Sequence, residues 1–152
     1  MPSQNEMRRV AHNMMPEALM KFGLDTALRD FCNDINQSGA LKVSYQSIGM
    51  QNKEISQNAA IRVYRIIQEL VNNVIKHADA SMAIVQFSHD NNRISITVED
   101  DGKGFDPISS VEMQGIGWTN IRSRVEYLKG KLSIRSTPEE GTSIHVELPT
   151  IV

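Results

Sequence analysis

The sequence predicts an α+β fold, a two-layer α/β sandwich with a mixed, mostly antiparallel sheet under a helical layer. Its candidate strands come in adjacent pairs rather than in strict β-α-β alternation, which favours antiparallel pairing. The chain has 152 residues, of which 40% are hydrophobic and 22% charged. This size and composition are typical of one globular domain with a sizeable core.

The first half of the chain contains three predicted helices and one strand. Glu6–Met15 forms a short amphipathic helix that Pro16 ends. Leu24–Ser38 carries a long apolar stripe and stops at Gly39. Lys42–Ile48 alternates like a strand. The longest helix is predicted for Ser56–Ala78, which buries Val63, Ile67, Leu70, Val71, Val74 and Ala78 on one side.

The second half is predicted to supply the remaining sheet. The spans Met82–Ser88 and Arg93–Asp100 are strands joined by a turn-rich segment, and Phe105–Gln114 is a loop. A helix over Thr119–Lys129 turns Ile121, Val125 and Leu128 inward and ends at Gly130. Two closing strands follow, Lys131–Ser136 and Thr142–Leu148.

Composition limits the classes of function. A net charge of −2 predicts no strong attraction to nucleic acid or acidic membranes. The single Cys32 excludes an intramolecular disulfide and a cysteine-based zinc site, and it fits a reducing compartment. The four histidines show no metal-ligand spacing, and no apolar run approaches the roughly 18 residues of a membrane span. No signal peptide is visible, so a cytoplasmic location is expected.

The most informative stretch is Asp100-Asp101-Gly102-Lys103-Gly104 at the end of a predicted strand. Period-two alternation places Asp100 on the apolar face of the strand and Asp101 on the solvent-exposed face. Asp101 is expected simply to be solvated. A carboxylate pointed at the core needs a hydrogen-bond donor, and the glycines let a ligand approach the backbone. A base-reading carboxylate is one interpretation, and an Asp-Gly hairpin turn is the other.

The long helix carries a polar stripe of Glu69, Asn73 and Lys76 at i, i+4 and i+7, opposite its apolar side. Two adjacent asparagines in mid-helix do not help helix stability. A carboxylate, an amide oxygen and an ammonium in one stripe can hold a magnesium–phosphate unit. An ordinary solvated face is the alternative.

Two weaker signals follow in the chain. Gly115-Ile116-Gly117 leads into a helix, whose free N–H groups and dipole favour anions such as phosphate. The alternative there is a flexible loop before an amphipathic helix with solvated arginines, Arg122 and Arg124. Thr142 opens the last strand on its core side, where its hydroxyl would bridge to a base through water or bond locally.

Taken in order, these four signals resemble the ATP-binding domain of the GHKL superfamily, which includes gyrase, Hsp90, histidine kinases and MutL. The chain is most similar to the catalytic domain of a two-component sensor histidine kinase of the NarL-partner type. Arg65–His77, "RIIQELVNNVIKH", resembles that family's N box, and Val98–Phe105, "VEDDGKGF", its G1 box. Gly115–Pro149 resembles the G2 region and closing strands. The resemblance covers roughly residues 56–149 and implies the Bergerat (GHKL) fold.

The resemblance implies a role for each matching residue at the metal and the phosphates. Asn73 would ligate Mg²⁺, and Glu69 would polarise a water or hold the metal's hydration shell. Lys76 and His77 would approach the phosphates of ATP. The catalytic set would be Glu69, Asn73 and Lys76.

It likewise implies the residues of the adenine pocket and the lid. Asp100 would accept a hydrogen bond from the adenine amino group, with Thr142 adjacent. Gly102 and Gly104 would shape the adenine pocket. Gly115 and Gly117 would frame the phosphates and a short lid over Asp106–Gln114. Trp118 stands where leucine is more usual after the glycine pair, and no distinct F box is visible.

Residues 1–22 resemble the end of the dimerisation region and its junction, and residues 23–152 the catalytic domain. His12 is followed by Asn13 rather than by an acidic residue, so it matches the second dimerisation helix and is not expected to be the phosphoacceptor. The chain is therefore expected to be a monomeric or weakly dimeric fragment without the acceptor histidine. Its parent is expected to be a membrane-anchored sensor that serves a LuxR/NarL-type response regulator.

The function implied is transfer of the γ-phosphoryl group of ATP, with Mg²⁺, to a histidine of the dimerisation domain. A GHKL ATPase or chaperone-type module is one alternative, although it would need a long lid and a downstream transducer domain. A non-catalytic nucleotide-sensing module is the other alternative.

Overall fold

The computed structural model describes residues 17–49, 55–90, 93–105 and 116–149. The helices are α1 (Glu17–Phe22), α2 (Leu24–Ser38), α3 (Gln57–Asn73) and α4 (Ile116–Tyr127), and α3 runs directly into a π-helical turn over Val74–Ala78. The strands are β1 (Lys42–Ile48), β2 (Met82–Asp90), β3 (Arg93–Asp100), β4 (Lys131–Ser136) and β5 (Thr142–Pro149). Within the described ranges, no helix is long and apolar enough to cross a membrane.

The five strands form one sheet in the order β1-β2-β3-β5-β4. β1 and β2 pair in parallel, and the other three pairs are antiparallel. The register places Asp100 of β3 opposite Ala83 on one side and Thr142 on the other. The predicted mixed, mostly antiparallel sheet is therefore confirmed, and its register places two predicted site residues beside each other.

The helices cover one face of the sheet. Alternate residues of β2, β3 and β5 are buried on that face, while their neighbours on the opposite face are largely polar. Helix α3 lies at the centre of the helical layer, since Ile66, Ile67, Leu70 and Val71 are fully buried. Full burial of side chains of this size contributes about 1.5–3 kcal/mol each. Because α3 is packed so tightly, its polar residues have defined positions.

Local signals in the sequence account for the helix ends. Ser56 precedes α3 and its hydroxyl accepts from the N–H of Ala59 at 3.2 Å, which satisfies one of the free amides of the first turn. Gly39 follows α2 with φ of 79°, the left-handed conformation that glycine adopts at little cost. Both positions agree with the predicted boundaries.

The structure differs from the sequence-based expectation in two helices, and a third predicted helix is not tested. The helix α1 was not predicted, because six residues are too short for a 3.6-residue period to be recognised. The helix predicted from Thr119 begins at Ile116, so Gly117 lies inside its first turn. The predicted helix Glu6–Met15 lies outside the described residues.

Candidate functional site

The end of β3 places Asp100 on the helical face of the sheet, as strand alternation predicts. Its side chain is half-buried, and its Oδ1 accepts a hydrogen bond from the N–H of Gly102 at 2.8 Å. Burial raises the pKa of the Asp100 carboxyl above 3.8, although the hydrogen bond from Gly102 opposes this change. One oxygen thus fixes the turn that follows the strand, while the backbone of Thr142 interacts with the same carboxylate and also lowers its pKa.

Asp101 is not simply a solvated side chain, and that expectation was wrong. Its Oδ1 accepts from the backbone N–H groups of Ser81 and Met82 at 2.8 and 3.0 Å. These bonds lower the pKa of Asp101. The carboxylate is exposed but joins the end of β3 to the start of β2, because the register puts these two ends side by side. The two neighbouring aspartates therefore have different structural roles.

The segment after Asp100 is not a hairpin turn, since it packs between the end of the long helix and the β4–β5 turn. The N–H of Lys103 donates to the carbonyl of Ala78 at 2.8 Å, and the N–H of Glu139 donates to the carbonyl of Lys103. A Cβ at Gly102 would collide with the Ala78 carbonyl oxygen. Gly102 is therefore required by this close approach rather than by a positive φ.

Gly104 has φ of 62° and lies against the carbonyl oxygens of Thr137 and Gly141. A side chain there would be strained by the backbone conformation and would also clash with the β4–β5 turn. The two glycines thus connect the β3 end to the long helix on one side and to the last hairpin on the other. Both are placed at the site by packing.

Thr142 is buried and faces the helical layer, as predicted. Its hydroxyl lies 2.8 Å from the Ser136 hydroxyl, which also accepts from the N–H of Phe105 at 2.8 Å. The Thr142 hydroxyl is therefore bonded locally, as the alternative interpretation has it. Its register position beside Asp100 nevertheless makes it part of the same pocket wall.

Glu69 and Asn73 lie one turn apart on α3, and both are half-buried. Arg124 of α4 donates from Nε to Glu69 Oε1 at 2.9 Å. Among the described residues, neither Glu69 Oε2 nor Asn73 Nδ2 has a hydrogen-bond partner, although both atoms are buried. Buried polar atoms without partners are rare in folded proteins. The Glu69 oxygen can accept a hydrogen bond and the Asn73 nitrogen can donate one, so both are available to a ligand at this turn of α3.

The π-helical turn after Asn73 changes the predicted stripe. The α-helical spacing that stacks Lys76 above Glu69 holds only up to Asn73, because a π turn contains more residues per turn. Lys76 and His77 are exposed on this turn, close in sequence to Ala78, whose carbonyl bonds to the loop after β3. The structure thus joins the C-terminal end of the long helix to the β3 end through Ala78 and Lys103.

The start of α4 contacts the same loop. Trp118 is buried, and its ring meets the ring of Phe105 edge to face at 6.2 Å between centroids. Sequence reasoning noted Trp118 only as unusual and missed this contact. Gly117 lies in the first turn of α4, while Gly115 and the predicted lid Asp106–Gln114 lie outside the described residues, as does His12.

A cleft of about 320 Å³ opens at this end of the sheet, lined by Asp100, Thr142 and the β4–β5 turn. A second cleft of about 320 Å³ lies between α1, the start of α2 and the start of α3. Asp25 is the only ionisable side chain among the residues lining the second cleft, and that carboxylate is bonded to Tyr45 and Arg29. The lining of the first cleft is more polar and includes the predicted site residues Asp100 and Thr142, although no residue of α3 lines it.

The oxygen atoms that could serve as metal ligands fit a magnesium ion that is bound together with phosphates. Across the ranges the structure describes, no cluster of three or more His, Cys, Asp or Glu side chains could hold a metal alone. Magnesium commonly keeps several waters and takes only one or two protein oxygens alongside substrate phosphates. The carboxylate of Glu69 and the amide oxygen of Asn73 offer such a set, with the Lys76 ammonium and the His77 imidazole exposed on the turn that follows.

The chain is similar in sequence to known proteins. The chain is 30% identical over 144 residues to the signal transduction histidine-protein kinase/phosphatase DegS of Brevibacillus brevis, covering 95% of this chain and 37% of DegS. It is 33% identical to the sensor histidine kinase YxjM of Bacillus subtilis, covering 95% and 34%. The chain thus spans about a third of the length of these relatives.

A solved structure has the same fold. The histidine kinase domain of the blue-light activated histidine kinase from Erythrobacter litoralis EL346 superposes with a TM-score of 0.67 at 25% identity, covering 84% of this chain and 61% of that one. Residues 58–151 match the family described as histidine kinase-, DNA gyrase B-, and HSP90-like ATPase. The matched region includes every predicted site residue from Glu69 to Thr142. The chain belongs to this ATPase family, as the catalytic domain of a histidine kinase.

Proposed function

We propose that the chain binds ATP with Mg²⁺ and transfers the γ-phosphoryl group to a histidine on a dimerisation helix. Residues 23–152 would form the catalytic domain, and residues 1–22 the end of the dimerisation region. The observation that carries this proposal is the contact between Gly102 and Ala78. This contact joins the loop after Asp100 to the end of the long helix, which supports a shared site.

The base would bind at the end of β3. The Asp100 oxygen that does not bond Gly102 would accept from the 6-amino group of adenine, and Thr142 forms the adjacent wall. A half-buried carboxylate oxygen that faces a base without a donor is unfavourable, so a base without this amino group would bind poorly. This asymmetry would give the site its preference for adenine.

The phosphates would lie along the end of α3. Asn73 would ligate Mg²⁺ and Glu69 would hold a water of its shell, while Lys76 and His77 would approach the phosphate oxygens. The metal would neutralise charge on the phosphates. In the transfer, the bond between the γ-phosphorus and the bridging oxygen breaks and a bond from a histidine ring nitrogen forms, which leaves ADP. Alignment and charge neutralisation are the main requirements of this reaction.

Since His12 is not expected to be the phosphoacceptor, the test supplies an acceptor histidine on a separate helix. The test mixes the chain with γ-labelled ATP, Mg²⁺ and a dimerisation hairpin that carries a histidine followed by an acidic residue. Label on the hairpin supports the kinase. Release of free phosphate alone would indicate an ATPase. The absence of both labelled hairpin and free phosphate would indicate a nucleotide-sensing module. In the parent protein, we expect a LuxR/NarL-type response regulator to receive the phosphoryl group.

A further inference from the structure

The ion pair between Glu69 and Arg124 connects the two helices that flank the proposed phosphate site. The Glu69 side chain is 22% exposed and that of Arg124 is 37% exposed, and the Nε to Oε1 distance is 2.9 Å. Exposed ion pairs are screened by water and hold geometry weakly. This pair is partly shielded, so it can fix the orientation of the carboxylate.

The pair leaves one carboxylate oxygen for another partner. Oε1 is taken by Arg124, whereas Oε2 is buried and has no partner within the described residues. The Asn73 amide, one turn further along α3, also has a buried nitrogen without a partner there. An unpaired buried oxygen costs free energy, so the arrangement is complete only when a ligand or a bound water reaches Oε2.

Arg124 is held on a rigid element rather than on a loop. Ile121 and Val125 of α4 are buried on either side of it in sequence, and Trp118 is buried at the start of the helix. A second contact between the same helices places the Arg62 guanidinium over the Tyr127 ring at 4.0 Å. A group supported in this way can hold its partner within the narrow tolerance that catalysis requires.

We propose that Arg124 is a positioning residue, which holds the Glu69 carboxylate so that only Oε2 meets the magnesium-bound water at the phosphates. This inference rests on the proposed function, because it assigns Arg124 to the same site. Arg124 acts through Glu69 and does not touch the nucleotide. Its removal should therefore affect the rate and the response to Mg²⁺, while leaving recognition of the base unchanged.

The experiment compares Arg124→Ala, Arg124→Lys, Glu69→Gln and the double variant Arg124→Ala/Glu69→Gln. Arg122→Ala, an exposed arginine on the same helix, controls for loss of charge, and Tyr127→Ala controls for a weakened contact between α3 and α4. Phosphotransfer to the hairpin is measured over a range of ATP concentrations up to saturation, which gives kcat and KM. Calorimetry measures ATP affinity with Mg²⁺ and with a chelator.

Arg124→Ala is expected to lower kcat about 10- to 100-fold with less than about a threefold change in KM for ATP, because misplaced catalytic groups cost up to about 100-fold. Mg²⁺ should enhance the ATP affinity of this variant less than that of the wild type, and the affinity in chelator should be unchanged. Arg124→Lys keeps the cation and should recover part of the rate. The double variant should match Glu69→Gln, since coupled residues are not additive.

Several outcomes would overturn the inference. Suppose that Glu69→Gln lowers kcat for phosphotransfer but that the kcat of Arg124→Ala equals that of the Arg122→Ala and Tyr127→Ala controls. Arg124 then has no positioning role, and the proposed function stands. If Arg124→Ala slows the Glu69→Gln variant as much as it slows the wild type, Arg124 acts independently of Glu69. If Glu69→Gln is as active as the wild type, both the role of Glu69 and that of Arg124 are wrong. Should Arg124→Ala fail to fold, Arg124→Lys takes its place: its kcat should lie between those of the wild type and Glu69→Gln, and a kcat equal to that of the wild type would overturn the inference.

Discussion

Replacing Asp100 with asparagine should separate nucleotide recognition from folding. The asparagine side chain has nearly the same shape, and its oxygen can still accept from the N–H of Gly102, which Asp100 does at 2.8 Å. The atom that changes is the second oxygen, which becomes an amide nitrogen. That nitrogen is a donor, so it would face the donor amino group of adenine. We expect the loop to persist and ATP affinity to fall.

The size of the loss follows from the chemistry of the contact. Removing a charge-assisted hydrogen bond while leaving a donor opposite a donor costs roughly 2–4 kcal/mol, which corresponds to a roughly 30- to 1,000-fold weaker affinity. Stability should not fall with it. Burial raises the pKa of Asp100 above 3.8, so the folded state binds this proton more tightly than the unfolded chain. The ionised carboxylate therefore lowers stability as pH rises from 3.8 through the folded pKa, and asparagine removes this cost.

Calorimetric titration with ATP and ITP, together with thermal unfolding, tests this reasoning. In ITP the 6-amino group is replaced by an oxygen acceptor, which the amide nitrogen of Asp100→Asn could satisfy. The variant should therefore lose ATP affinity, improve its relative affinity for ITP, and keep or raise its Tm. Unchanged ATP affinity in a folded variant would refute the assignment of Asp100 as the adenine reader.

Asp101→Asn is the matched control, because it changes the neighbouring aspartate. The Asp101 carboxylate bonds the N–H groups of Met82 and Ser81, which lower its pKa. Its contribution to stability is present above pH 3.8 and is lost as pH falls through the folded pKa. Asp101→Asn should thus lower Tm at neutral pH and leave ATP affinity within about threefold of wild type. Equal loss of ATP affinity in both variants would show that the effect comes from the loop as a whole.

Three further predictions concern the packing of the loop after β3, the packing of α3, and the fluorescence of Trp118. Gly102→Ala should destabilise the fold by about 1–3 kcal/mol and weaken ATP binding, because the new Cβ would collide with the Ala78 carbonyl. Thermal unfolding measures the loss of stability, and calorimetry measures the loss of ATP affinity. Leu70→Ala, at a fully buried position on α3, should cost about 2–5 kcal/mol in denaturant unfolding. Trp118 is the only tryptophan and contacts Phe105, so its fluorescence should change on addition of ATP with Mg²⁺, and an unchanged spectrum at saturation would contradict a nucleotide bound beside this loop.

The sequence predicted the strands well because their alternation is a local signal. Arg93–Asp100 and Lys131–Ser136 were predicted with the bounds the structure has, and the inward positions of Asp100 and Thr142 follow from the same alternation. The pairing of these two residues could not be read locally, since it depends on β3 and β5 meeting in one register.

Other features of the site depend on contacts between distant residues. Glu69 and Arg124 are 55 positions apart, so no local pattern identifies them as partners. The role of Asp101 depends on the pairing of β2 with β3. The π turn after Asn73 interrupts a helical period that continues smoothly in the sequence, and only the packed structure reveals it. These are the points at which tertiary structure, rather than propensity, determines the site.

The central claim is that ATP binds between the end of β3 and the end of α3. The most direct measurement is a titration of isotopically labelled protein with Mg²⁺ and ATP, monitored through the backbone amide signals by NMR. We predict that the largest shifts occur at Asn73, Gly102 and Thr142. Shifts confined to the cleft between α1 and the starts of α2 and α3, around Leu19 and Phe22, would contradict this claim.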